Sequence, residues 1–143
     1  MEQTLGSILK NKSGSLYSVP SGASVVEAVR IMADARVGAI LVIDKDELCG
    51  LFTERDLMMR VVNEGLDPTA TPVGQVMTRD IATVSPSVTV GEAMSLCTQK
   101  RMRHLPVFEG NTLLGVISAG DLTKAAVDNQ QHTIEDLVRY IYG

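Results

Sequence analysis

The chain has 143 residues, is 45% hydrophobic and 3% aromatic, and carries a formal net charge of -4. An acidic balance with so few stacking rings argues against a nucleic-acid surface, and the longest unbroken apolar run, Ala39 to Ile43, is far short of the roughly 20 residues a membrane helix needs. The start, with Glu2 and no apolar stretch, reads as neither a secretory signal nor a transit peptide, so a cytoplasmic location is expected.

In chain order, the first feature is a short helical lead-in carrying Leu5, Gly6, Ile8 and Leu9. It returns 68 positions later as Val73, Gly74, Val76 and Met77. After an insertion around Ser13 to Ser15 the register becomes 65 and holds without a gap, matching Val19 to Val84, Glu27 to Glu92, Arg36 to Arg101 and Val42 to Val107. A unit that repeats at a fixed period needs its copy to bury its apolar face. A chain of this length can bury one ordinary core, so two units of about 60 residues read as halves of one domain.

Each unit opens with an extended piece, Leu16 to Val19 or Ile81 to Val84, and a turn at Pro20 or Pro86. Ser24 with Glu27, and Thr89 with Glu92, make the S/T-x-x-E pattern in which a hydroxyl and a carboxylate satisfy the first amides of a helix. Apolar positions at Val25, Ala28, Val29 and Met32, and at Val90, Ala93, Met94 and Cys97, predict one buried helical stripe in each unit. The runs Val37 to Ile43 and Met102 to Phe108 then predict buried strands, with hairpin turns at Asp44 to Glu47 and Glu109 to Thr112. The second strands, Leu48 to Phe52 and Leu113 to Ile117, contain Gly50 and Gly115. A glycine weakens a strand unless something approaches the backbone closely. Second helices begin at Thr53 and Ser118, and Asn63 to Pro72 reads as the linker. The fold class is thus mixed α/β (α+β), with motif order β-α-β-β-α twice. The segments are 1–67 for the first motif and its lead-in, 68–128 for the second, and 129–143 for a C-terminal amphipathic helix. That helix starts at Thr133, carries Ile134, Leu137, Val138 and Ile141, and packs either on the domain or on a second subunit.

Cys49 and Cys97 form no C-x-x-C pair and read as small core residues, and His104 and His132 have no second ligand at a metal-site spacing, so no metal is expected. The informative constellation is Gly-x-x-[Thr/Ser]-x-x-Asp, present as Gly50, Thr53, Asp56 and again as Gly115, Ser118, Asp121. Asp three residues after Thr or Ser at a helix start can cap its own first turn. The same helix end, following a strand, can instead present amides and a hydroxyl to an anion while the Asp accepts from two ribose hydroxyls. The two readings are compatible.

On these residues the two units resemble cystathionine-beta-synthase (CBS) domains, and the pair resembles a Bateman module, from Leu5 to about Val127. The resemblance implies two pseudo-twofold-related motifs packed through their sheets, two equivalent clefts, and a disc-like homodimer. It also implies an adenosine-containing ligand: AMP, ADP, ATP, NAD(H) or, less in keeping with the chain, S-adenosylmethionine. Carried over by position, Ser118 and Asp121 would take phosphate and ribose in one cleft, with Ser18, Val37 and Ala39 near the base. Thr53 and Asp56 would serve the other, with Thr83, Met102, His104 and Pro106 near the base. Phosphate-binding basic residues of the family fall at Arg103 and His104. Unit one has Gly38 and Ala39 there, and Arg55 partly compensates. The clefts are therefore expected to be unequal, with the Asp121 side the better.

A hydrolytic triad of Ser118, His104 and Asp121 is rejected: the serine is not in a G-x-S-x-G elbow, and an Asp three residues on would cap its helix. No catalytic residue is assigned. The expectation is a regulatory, adenine-nucleotide-sensing module acting in trans on an unidentified partner protein, with no catalytic cofactor. The alternative is a ligand-free dimeric interaction scaffold.

Overall fold

The computed structural model describes residues 2–12 and 16–128. The expected terminal helix, 129–143, lies outside them. Two compact units emerge: Ser15–Ile81, and Met1–Gly14 together with Ala82–Gly143.

In the first unit, β1 (Ser18–Val19) pairs parallel with β2 (Ala39–Asp44), which pairs antiparallel with β3 (Glu47–Thr53). Between β1 and β2 runs the helix α2 (Val25–Ala35), preceded in the chain by α1 (Leu5–Asn11) of the other unit. Ser24 Oγ accepts from the Glu27 N–H, and Arg36 ends α2 in a left-handed conformation with the Val37 N–H closing back on Met32. The expected stripe is buried at Val25, Ala28 and Met32, with Val29 partly covered. The β2–β3 turn uses Lys45 and Asp46, both at positive φ (51° and 65°), the backbone twist that two-residue hairpins demand. After β3 one helical turn, α3 (Glu54–Asp56), runs into a π-helical stretch, Leu57–Val62. The expected linker is no free tether. Its Thr71 and Pro68 carbonyls accept the Val25 and Val26 amides that open α2.

In the second unit, α5 (Val90–Lys100) has a complete capping box of Thr89 and Glu92, and Arg101 repeats the left-handed end seen at Arg36. Val90 and Ala93 are buried as expected, but Met94 is exposed: with Leu96 and Cys97 partly covered beside them, the buried stripe passes Met94 by. The strands β4 (His104–Glu109) and β5 (Thr112–Ser118) form a hairpin, and the expected leading strand is reduced to a single parallel bridge, Val84 to Val107. Residues 119–128 are helical and form α6.

The lead-ins are exchanged. Val73 and Gly74, opening α4 (Val73–Val76), donate to the Ala23 and Ser21 carbonyls, while Leu5 and Gly6, opening α1, donate to Val88 and Pro86, the matching positions of the other repeat. Leu5 and Ile8 belong to the core of the second unit, and Val73, Val76 and Met77 to that of the first. The sequence boundary after residue 67 therefore marks the repeat, while the compact units are cut at residues 14 and 81. The physical reason is that each lead-in covers the apolar edge of the other copy's hairpin.

This exchange also explains the strand glycines. A Cβ at Gly50 would stand 2.6 Å from the Thr78 carbonyl oxygen, and one at Gly115 would stand 2.7 Å from Leu9 Cδ2. The close approach expected from the sequence is made by the chain itself. Opposite both glycines the ladder shifts at matching places, Val42/Ile43 and Val107/Phe108.

Candidate functional site

Both repeats of Gly-x-x-[Thr/Ser]-x-x-Asp turn from strand into helix, and in both the carboxylate caps its own helix. Asp56 Oδ2 accepts from the Thr53 N–H at 3.1 Å while Thr53 Oγ1 accepts from the Asp56 N–H. Asp121 Oδ2 accepts from the Ser118 N–H at 2.8 Å while Ser118 Oγ accepts from the Asp121 N–H. The amides expected to await an anion are also taken at 54 and 119, by the Gly38 and Arg103 carbonyls. The amides at 53, 54 and 56, and at 118, 119 and 121, are thus taken by the chain itself.

What closes over the two carboxylates differs. At Asp56 the cover is Thr78, whose hydroxyl reaches both oxygens at 2.9 and 3.0 Å and whose peptide pairs both ways with Leu51. Arg60 adds its Nε at 3.5 Å and donates Nη1 to the Met77 carbonyl. The Asp56 side chain is 6% exposed. At Asp121 a single ammonium performs both tasks. Lys12 Nζ lies 2.8 Å from Asp121 Oδ2 and 2.9 Å from the carbonyl of Val116, the residue that matches Leu51. Here the side chains are 41% (Lys12) and 25% (Asp121) exposed. Burial acts to raise the Asp121 carboxyl, but the Lys12 hydrogen bond and charge and the Ser118 amide outweigh it and hold the group below the ordinary carboxylate range.

His104 stands opposite Ser118 across the β4–β5 ladder, and the Arg103 carbonyl ties the same turn to Ala119, so Arg103, His104, Ser118 and Asp121 are brought together with an exposed Arg103 side chain. In the other unit Ala39 stands opposite Thr53, Arg55 is exposed on the first helical turn, and Val37 precedes the strand. Ser18 and Thr83 are exposed, Met102 is half-buried, and Pro106, expected against a base, is buried with its carbonyl accepting from Val84. Sequence reasoning missed Lys12, Thr78 and Arg60. The change of register from 65 to 68 was the available sign that the lead-ins follow a different geometry from the repeats. Among the described residues no His, Cys, Asp and Glu group could hold a metal ion.

A duplicated strand-to-helix turn of this kind, on paired β-α-β-β-α motifs, defines a tandem CBS-domain protein of mixed α/β class. The chain belongs to the CBS domain family, whose profile matches residues 12–63 and 73–128. It is 33% identical over 149 residues to the mitochondrial CBS domain-containing protein CBSX3 of Arabidopsis thaliana, covering 98% of this chain and 72% of that protein. The structure of a CBS-domain protein from Burkholderia ambifaria MC40-6 is similar at a TM-score of 0.86 and 40% identity, with 90% of this chain and 96% of that chain covered. The hexameric CBS-CP12 protein from bloom-forming cyanobacteria is similar at a TM-score of 0.77 and 28% identity, covering 86% of this chain and 67% of that one. Proteins built on CBS-domain pairs are generally regulatory modules. No described helix is long and apolar enough to cross a membrane.

Proposed function

We propose that this protein is a non-catalytic regulatory module that binds an adenine nucleotide through Asp121 and acts in trans on a partner protein. The observation that carries the reading is the Asp121 carboxylate: charged, partly exposed and covered by one ammonium, with the Ser118 hydroxyl beside it. A charged carboxylate accepts from the two hydroxyls of a ribose, and Arg103 and His104 on the same turn suit the phosphate. Asp56 is the poorer candidate, because a ligand would have to displace a peptide segment there and leave Arg60 without its partner. AMP, ADP, ATP and NAD(H) fit this set, S-adenosylmethionine less well since it brings no phosphate. A nucleotide that prefers one conformation shifts that population and changes the surface offered to the partner. Self-association, as in the hexameric CBS-CP12 protein, is part of the proposal, as is a cytoplasmic location.

Calorimetry with AMP, ATP, NADH and S-adenosylmethionine tests it. Binding is expected for at least one phosphorylated ligand, with Asp121→Ala weakening it at least about tenfold, the worth of one charge-assisted hydrogen bond, and Asp56→Ala weakening it less. Equal losses would refute the ranking of the two sites. One observation favours the second reading, a ligand-free scaffold: Met58, Met59 and Val62 leave an apolar face exposed on the π-helical stretch. Silence of all four ligands, in heat release and in melting temperature alike, would select it.

A further inference from the structure

We infer that Lys12 is the residue that selects phosphorylated nucleosides over bare ones, as an internal cation that exchanges Asp121 for the ligand's phosphate. The inference rests on the nucleotide-binding reading above and extends it to a residue outside the repeated motif. Asp121 Oδ2 and the Val116 carbonyl are both acceptors, and Lys12 Nζ donates to both. A ribose diol brings donors, so it competes with the ammonium for the same carboxylate. Lys12 holds its place only through the end of a flexible four-carbon stem that is 41% exposed, whereas the corresponding acceptors in the other unit, the Leu51 carbonyl and Asp56, are filled by Thr78 through its peptide and hydroxyl. The first cover can swing away with its backbone in place. The second cannot.

The direction of selectivity follows from keeping charges paired. A neutral nucleoside that takes Asp121 leaves the ammonium with the Val116 carbonyl but no counter-charge, and must overcome the lost ion pair. A nucleotide takes the carboxylate with its hydroxyls and returns a phosphate to Lys12, so both charges stay paired throughout. Lys12 thus opposes adenosine and favours AMP from the same position.

Titration calorimetry of AMP and of adenosine against the wild-type chain and the Lys12→Met, Lys12→Gln and Lys12→Arg variants tests this. Lys12→Met is expected to lose about tenfold or more in AMP affinity, one charged hydrogen bond, while binding adenosine as tightly as the wild type or tighter. Lys12→Gln, which keeps a donor near Asp121 without charge, is expected to lose the AMP preference as well and serves if the Met variant does not fold. Lys12→Arg is expected to retain it. Equal weakening of both ligands in folded variants, or unchanged AMP affinity, overturns the role of Lys12. That failure is separable from failure of the nucleotide reading: in the first case the wild type still binds AMP and loses it in Asp121→Ala, and in the second the wild type binds neither ligand and both ideas fall.

Discussion

Asp56 and Asp121 hold one position of a repeated motif, yet one is sealed by a peptide segment and the other by a lysine tip. The difference has a consequence for acid stability. Asp121 titrates below the ordinary carboxylate range when folded, so the unfolded chain takes up its proton first as pH falls. Its contribution is complete above the unfolded pKa and is lost as pH drops through the lower folded value. Asp121→Asn should therefore flatten the acid limb of a urea-stability profile below about pH 4 and leave its slope at neutral pH unchanged; an unaltered acid limb would count against the Lys12 pairing. At Asp56, Thr78→Val removes a hydroxyl donor from a buried carboxylate and is expected to cost about 1–3 kcal/mol, readable as a lower urea midpoint at unchanged slope. A loss of a few tenths would mean that Arg60 and the Thr53 amide suffice there.

The hairpins and their glycines carry the argument at the level of elements. Gly50 faces backbone, the Thr78 carbonyl, whereas Gly115 faces the methyl of a leucine that can turn away. Gly50→Ala should consequently destabilise by about 1–3 kcal/mol, the usual cost of overpacking, and Gly115→Ala by clearly less; comparable losses would mean Leu9 is as fixed as a peptide. In the β2–β3 turn, Asp46 adopts a left-handed conformation at φ 65°, which costs a side-chain-bearing residue about 1 kcal/mol. Asp46→Gly should recover much of that as a higher melting temperature. These elements also show how far the sequence reached. Hairpin, helix starts and motif order followed from capping residues, β-branched runs and turn signals, all of which act within a few positions. Met94 escapes the core because a periodic stripe tells how apolar residues are spaced but leaves open where its edge falls. The engagement of Asp121 by Lys12 joins residues more than a hundred positions apart, and no spacing rule spans that distance.

For the whole molecule, the exchange of lead-ins decides which parts are stable together. Leu5 is fully buried in the core that includes Leu105, Val107 and Ile117. Leu5→Ala should cost about 2–5 kcal/mol, and hydrogen exchange should quicken first in residues 82–128, far along the chain, before residues 16–62 that follow it directly. Faster exchange confined to its immediate sequence neighbours would contradict the exchange.

Cutting the chain after residue 67 would thus yield fragments whose edge grooves are vacant and whose own leading helices have nowhere to dock. Two such fragments supplied together should complement one another, each lending the other the missing piece. A circularly permuted gene opened near residue 81 would, by contrast, keep residues 82–128 contiguous with the amino-terminal helix that completes them.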